Sequence, residues 1–112
     1  MNIFLDDSKL CPSGWTGIKT YVEFIDVISK NKDQIKNISL DFDLSATDKD
    51  HNGLDICNFM LQNNIQCEKI IIHSTHPKAD LMYDMLSKKY NVVMEEYNAI
   101  EIMKNSAFKL LF

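Results

Sequence analysis

The sequence predicts a small α/β domain with a mainly parallel sheet of about four strands. Short apolar segments alternate along the chain with segments whose apolar residues recur at helical spacing, and this alternation is typical of a parallel sheet covered by helices. Two pairs of aspartates also stand where apolar segments end, and the carboxyl ends of parallel strands are where a ligand crevice forms. A chain of 112 residues has the length of one domain, so we expect residues 1–112 to form a single unit.

The predicted strands are short apolar runs bounded by polar or turn-forming residues. The third contains Ile70-Ile71-Ile72, a continuous apolar run of the kind expected for a strand covered on both faces. Loops are predicted over residues 8–17, which include Pro12 and Gly14, and over the polar residues 45–52. The four predicted strands cover residues 3–5, 35–40, 69–73 and 91–94.

Two helices are predicted before the third strand. Thr20 followed by Glu23 forms a capping box, and the helix that it starts extends to about Lys30 with a stripe that includes Val22. Apolar residues at helical spacing then predict a second helix over residues 54–63. This helix begins shortly after the second aspartate pair.

A third helix and a C-terminal element complete the prediction. Pro77 is well suited to the first position of a helix, with Thr75 or His76 as the cap. Spacing in the tail favours a last helix that begins after Asn98. The alternative is a short strand over residues 108–112, because propensity does not separate the two.

The composition excludes several classes of ligand and location. With a net charge of −4 and lysine as all 12 basic residues, no extended nucleic-acid surface is expected, and bidentate phosphate recognition by arginine is excluded. The early Asp6-Asp7 does not fit a signal peptide, and no apolar run reaches the ~20 residues of a membrane helix, so a cytoplasmic protein without a membrane partner is expected.

Three cysteines without close pairing, Cys11, Cys57 and Cys67, favour free thiols. The lysine and asparagine bias suits an AT-rich genome such as that of a bacteriophage, in which case the location is the host cytoplasm.

The two aspartate pairs are the candidate metal ligands. Asp6 and Asp7 follow the first strand, and Asp41 and Asp43 follow the second. Four carboxylates in one crevice repel one another unless a cation or a proton relieves them. Their oxygen atoms suit a divalent metal, Mg²⁺ first and Mn²⁺ as the alternative. Asp41 is the stronger candidate of its pair because it is nearer the strand tip, whereas Asp43 fits a ligand and a loop-bracing residue equally well.

Three groups of residues share the order and spacing of a known family. The first is Phe4-Leu5-Asp6-Asp7 with Cys11-Pro12-Ser13-Gly14-Trp15. The second is Ser39-Leu40-Asp41-Phe42-Asp43-Leu44 with Gly53-x-Asp55, and the third is Ile72-His73-Ser74. In these motifs the chain resembles the cyclic-phosphate processing receiver-like domains, which are small relatives of the response-regulator receiver fold. The resemblance implies a three-layer receiver-like α/β domain.

The chain departs from the expected family pattern at three positions. Phe42 stands where a histidine is expected, His76 where an asparagine is expected, and Lys9 where an arginine is expected. His51 and His76 do not have the close spacing of zinc ligands to His73, so both are predicted to be loop residues.

The resemblance implies metal-dependent hydrolysis of a cyclic or terminal phosphate on RNA or a nucleotide. Asp41 and His73 are then the candidate catalytic residues, with the His73 imidazole giving a proton to the leaving ribose oxygen while water attacks phosphorus in line. Ser74, Lys78 and Lys9 are the candidate phosphate-binding residues, because Lys78 belongs to the first turn predicted for the third helix and helix N-termini bind anions. The expected partner is a nucleotide or an RNA end that carries a phosphate.

Two alternatives without turnover stay open from the sequence. One is a signalling receiver that is phosphorylated on Asp41, although Val92-Val93-Met94 leads into Glu95-Glu96 where an ordinary receiver has a lysine that pairs with the acyl phosphate. The other is a module that binds a phosphorylated ligand or a partner protein through the same crevice. The sequence leaves the oligomeric state open.

Overall fold

The computed structural model of the protein describes residues 1–95. The predictions for the tail, a helix after Asn98 or a strand over residues 108–112, lie outside the described residues. That residues 1–112 form one domain likewise stays a prediction.

Five parallel strands form the sheet of the described chain, in the order β2-β1-β3-β4-β5. The parallel arrangement confirms the predicted fold class, and the sheet has one strand more than the four identified in the sequence. The additional strand, β2, begins inside the predicted loop 8–17, extends one residue beyond it and pairs with β1 at the edge of the sheet. It has three residues with Gly17 in the middle, so it shows no apolar alternation that a sequence could display. The strands are β1 Asn2–Leu5, β2 Thr16–Ile18, β3 Asn37–Leu40, β4 Lys69–Ile72 and β5 Val92–Met94.

The register places the ends of three strands side by side. Leu5 pairs with Leu40, and Leu40 pairs with Ile72, so β1, β3 and β4 are neighbours that end on one line. The tips of the first three predicted strands are therefore adjacent, as a shared site requires.

Three helices alternate with the strands. Two details of their prediction are wrong: the burial of Val22 in the first helix and the start of the third helix. Thr20 caps the first helix by accepting a hydrogen bond from the Glu23 N–H, as predicted, but Val22 is 68% exposed and Phe24 is buried instead. The third helix begins at Ala79 rather than at Pro77, because a turn closed by the Ala79 N–H and the His76 carbonyl precedes it. The helices are α1 Tyr21–Lys30, α2 Gly53–Gln62 and α3 Ala79–Leu86.

The helices cover one face of the sheet. α1 contacts α2 and α2 contacts α3, so the three lie side by side. The strand residues that alternate toward them are fully buried: Ile3, Leu5, Ile38, Leu40, Ile70 and Ile72. The described residues thus form the sheet and one helical layer of the predicted three-layer arrangement.

Two further predictions are tested by the described part of the chain. Cys11, Cys57 and Cys67 are free thiols, as expected, and burial raises the pKa of Cys57 to about 12. No helix among residues 1–95 is long and apolar enough to cross a membrane.

Candidate functional site

Asp6, Asp41 and His73 form a row at the carboxyl edge of the sheet. Each directly follows the last residue of its strand, and each backbone N–H still bonds to the neighbouring strand: Asp6 to the Ile18 carbonyl at 3.0 Å, Asp41 to Leu5 at 3.1 Å and His73 to Leu40 at 3.0 Å. The pairing of the three strands is thus continued by one residue. One carboxylate oxygen of each aspartate and one ring nitrogen of His73 lie within 4.8 Å of one another.

The side chains of this row point to the sheet face opposite the helices. Alternate residues of a strand share a face, so Asp6 lies on the side of Phe4, and Asp41 on the side of Ser39. The contacts agree, because Phe4 and Ser39 both touch His73. The site therefore has a floor made by the strands themselves.

Both ring nitrogens of His73 are hydrogen-bonded to buried partners. Nε2 lies 2.9 Å from an Asp6 carboxylate oxygen, and Nδ1 lies 2.6 Å from the Ser39 hydroxyl. An ionised carboxylate can only accept, so Nε2 carries the proton and Nδ1 accepts from Ser39. The ring is also stacked on Phe4, with centroids 4.6 Å apart and planes 9° from parallel. His73 is held as one neutral tautomer in one orientation.

The pKa values of His73 and Asp6 shift in directions that agree with this pairing. Burial lowers the pKa of His73, and the hydrogen bond and charge of Asp6 offset only part of that effect. For Asp6, burial would raise the pKa, but hydrogen bonds from the Lys9 and Ser8 N–H groups and from His73 together lower it. The pair is a neutral imidazole beside an ionised carboxylate that is 2% exposed.

Asp41 is the carboxylate whose charge is least well compensated. Burial raises its pKa and the nearby charge of Asp6 raises it further, while a hydrogen bond from Ser74 opposes the shift. The start of α2 lies close to the backbone of Asp41, because a Cβ at Gly53 would stand 2.9 Å from the Asp41 carbonyl oxygen. Only glycine allows the helix to start so close to the strand end. Two neighbouring carboxylates, of which Asp41 has a poorly compensated charge, offer hard oxygen donors that fit a divalent cation such as Mg²⁺.

Asp7 and Asp43 lie beside the row and brace loops. One Asp7 carboxylate oxygen accepts from the Ala46 N–H at 3.0 Å, and one Asp43 oxygen accepts from the Ser45 N–H at 2.8 Å. Hydrogen bonds from the Ser45 side chain and backbone lower the pKa of Asp43. Neither carboxylate belongs to the group within 4.8 Å, so their role as metal ligands stays a prediction.

A cleft of about 410 Å³, here called the site cleft, opens beside the row, and Asp41 is the member of the row that lines it. Lys9 lines it, and its ammonium group donates to the His73 carbonyl oxygen at 3.3 Å. Ser74 also lines it; this residue is 2% exposed, and its hydroxyl accepts from the His76 N–H at 3.1 Å. Lys78 is exposed at the start of α3 and does not line the site cleft, so the structure does not bring it to the other predicted site residues.

The structure places two residues at the site that the sequence did not single out for a role. Ser39 was only part of a motif, yet its hydroxyl is hydrogen-bonded to His73. A serine between Ile38 and Leu40, two positions before Asp41, was the available signal. His76 was predicted to be a loop or cap residue, yet it lines the site cleft and is stacked on Phe42 with centroids 4.3 Å apart. Positions 42 and 76 are two of the three that depart from the expected family pattern.

An all-parallel sheet with acidic residues in register at its carboxyl edge defines a receiver-like α/β domain. The profile of one such family, the Cyclic-phosphate processing Receiver domain, matches residues 1–88, and the chain belongs to that family. The match extends from β1 to just beyond the end of α3 and so includes every residue of the row. No curated protein and no solved structure matches the chain.

Proposed function

We propose that the protein hydrolyses a cyclic phosphate ester on a nucleotide or an RNA end with the help of a divalent metal ion. The observation that carries the proposal is the approach of Asp6 and Asp41 within 4.8 Å of each other, beside a cleft that Asp41, Lys9 and Ser74 line. The description of the family supports it, because it links this receiver domain to cyclic-phosphate processing.

Asp6 and Asp41 would hold the metal ion, Mg²⁺ first and Mn²⁺ as the alternative. The ion would offset phosphate charge and make phosphorus more electrophilic. His73 would act chiefly as a positioning residue, since its Nε2–H fixes the orientation of Asp6 in the way that outer partners orient metal ligands. Asp7 and Asp43 line the site cleft, and their carboxylates would add negative charge that favours a cation there.

Lys9 and Ser74 would bind the phosphate group. The Lys9 ammonium reaches the end of β4 as a point charge, which suits phosphate without the fork of an arginine. The Ser74 hydroxyl accepts from the His76 N–H, so its own O–H can donate to a phosphate oxygen.

The reaction adds water to phosphorus and breaks one ester bond. The attacking water loses a proton, and the released ribose oxygen gains one, so a cyclic diester becomes a monoester. Proton donation by His73 stays a prediction: the neutral ring would first have to take up the proton that the attacking water loses, and its Nε2–H would then have to leave Asp6 for the ribose oxygen.

One observation weighs against the signalling alternative. The Glu95 N–H bonds to the Ile72 carbonyl at 2.7 Å, so Glu95 occupies the next position of the row beside His73. A carboxylate there would repel a phosphorylated Asp41, whereas the lysine of an ordinary receiver would pair with it.

Phosphorus NMR with purified protein tests the proposal. Nucleoside 2′,3′-cyclic phosphates and oligoribonucleotides with cyclic-phosphate ends are incubated with Mg²⁺, Mn²⁺ or a chelator, beside Asp41→Asn and His73→Ala. We expect metal-dependent formation of a monoester that is lost in Asp41→Asn. No monoester in any mixture, with metal still bound by the wild type, would favour the binding or signalling alternatives.

A further inference from the structure

A second cleft of about 260 Å³ adjoins the site cleft and is here called the side cleft. The two share Asp43, Ser45 and His76 as lining residues, so they meet along a common border. Asn52 and His51 belong to the side cleft only. A ligand with its phosphate in the site cleft has an adjacent space for the group attached to that phosphate.

The border of the two clefts is a fixed aromatic ring. His76 is half-buried and lies on the Phe42 ring, which is almost fully buried, with the two planes 24° from parallel. Its Nδ1 accepts from the Lys78 N–H at 3.0 Å, and its own backbone N–H donates to Ser74. These bonds hold both the ring and the backbone of His76, and they leave Nε2–H as its remaining donor.

The negative charge of the side cleft favours an uncharged group over a second phosphate. Asp43, Asp48 and Asp50 line it against a single cation, Lys49. This excess of carboxylates repels a second phosphate, whereas an uncharged ring meets no such penalty. Acceptor oxygens around a planar aromatic wall suit a nucleobase, which offers a π face and N–H donors.

We propose that the side cleft is a nucleoside subsite in which the base of the substrate stacks on His76. This inference rests on the proposed function, because it assigns the phosphate of the same molecule to the site cleft. Within the proposed class of nucleotides and RNA ends, it assigns the base to a defined place and makes binding depend on the base. It also gives His76 a role in recognition and none in bond breaking.

Ligand binding in the presence of Mg²⁺ tests the subsite whether or not turnover occurs. Adenosine 3′-monophosphate and ribose 3-phosphate are titrated into the wild type, His76→Ala and His76→Phe, with backbone amide NMR as the readout. Stacking of a base on an aromatic ring contributes about 1–3 kcal/mol, so the adenosine compound should bind roughly 5–150-fold more tightly than the sugar phosphate. His76→Ala should remove most of that ratio, and His76→Phe should keep it.

Tyr83→Ala is the matched control, because Tyr83 is an exposed aromatic residue of α3 that lines neither cleft. In Tyr83→Ala the ratio of the affinities for the adenosine compound and the sugar phosphate should equal that of the wild type. Equal binding of the two compounds by the wild type, or binding of neither, overturns the subsite. If a sugar cyclic phosphate without a base were hydrolysed as fast as the nucleoside cyclic phosphate, the subsite would be overturned and the proposed hydrolysis kept. If the adenosine compound bound more tightly than the sugar phosphate but no cyclic phosphate were hydrolysed, the subsite would be kept and the proposed hydrolysis overturned.

Discussion

The two edges of the sheet differ in how their polar residues are held. At the amino edge a cleft of about 500 Å³ is lined by polar residues that include Lys32, Asp33 and Asn64, and the first two are exposed. At the carboxyl edge the cleft is smaller, but Asp6 and His73 beside it are less than 10% exposed and bonded to each other. Burial of ionisable groups therefore marks the candidate site better than the volume of a cleft does.

The difference follows from the direction of the strands. In a parallel sheet every strand leaves at the same edge, so the residues that follow paired strand ends stand in one row. At the opposite edge the chain enters the strands from turns, and many of the bonded polar groups there are exposed. Gln66, for example, donates to the carbonyl oxygen and side chain of Asn64, and both residues are exposed. Among the described residues, the cluster of possible metal-ligating side chains lies at the carboxyl edge.

The largest expected effect is on the rate of turnover, and it is tested by replacing one aspartate at each edge of the sheet. Asp6→Asn should lower turnover of a cyclic phosphate by on the order of 10²–10³-fold, because metal-assisted charge stabilisation amounts to several kcal/mol. Asp33→Asn at the amino edge should leave turnover unchanged. Steady-state rates measured on folded variants check this. Equal losses of turnover in the two variants would contradict the assignment of the site to the carboxyl edge.

The contact between α2 and the carboxyl edge predicts a loss of stability. In Gly53→Ala the new Cβ would meet the Asp41 carbonyl oxygen at 2.9 Å and the Met82 sulfur at 2.6 Å. We expect the free energy of unfolding to fall by about 1–3 kcal/mol, as in other overpacked cores. Asn58→Ala on the exposed side of α2 should stay within about 0.5 kcal/mol of the wild type. Urea denaturation gives both values, and an unchanged Gly53→Ala would contradict the close approach.

Removing the hydrogen bond between Ser39 and His73 should lower the free energy of unfolding by as much as Gly53→Ala does, or by less. Ser39→Ala leaves the buried Nδ1 of His73 without a donor, which should cost about 1–3 kcal/mol of unfolding free energy. Ser29→Ala, on the exposed side of α1, should change it by less than about 0.5 kcal/mol. Nitrogen NMR of the imidazole should also show the loss of a single tautomer. A stable variant with an unchanged tautomer would show that Asp6 alone orients the ring.

The smallest effect concerns the charge of Asp41 without divalent metal. Burial and the charge of Asp6 raise its pKa in the folded state, so ionising Asp41 costs stability as the pH rises through the raised value. Asp41→Asn should therefore stabilise the metal-free protein at pH 7. Because the group is only half-buried, solvent screening keeps the gain below about 1 kcal/mol.

Thermal denaturation at several pH values checks the sign of this effect. The gain should vanish below the ordinary carboxyl pKa of 3.8, where Asp41 is protonated in both states. Mg²⁺ should stabilise the wild type and not the variant. A metal-free variant that melts below the wild type at pH 7 would contradict the electrostatic account.

Local patterns in the sequence determined where the main strands end and which acids follow them. The apolar runs before Asp6, Asp41 and His73 are strands in the structure, because each run carries its own periodicity or continuous apolar character. The capping residues of α1 were equally visible. Thr20 and its hydrogen bond to Glu23 need only four neighbouring residues.

Only the tertiary structure decided which side chains meet. Strand order, the edge strand β2 and the buried bonds of His73 to Ser39 and Asp6 join residues that are up to 67 positions apart. The stacking of His76 on Phe42 depends in the same way on the adjacency of β3 and β4. A local sequence pattern carries no information about such pairs, because strand neighbours are selected by packing and hydrogen bonding over the whole sheet.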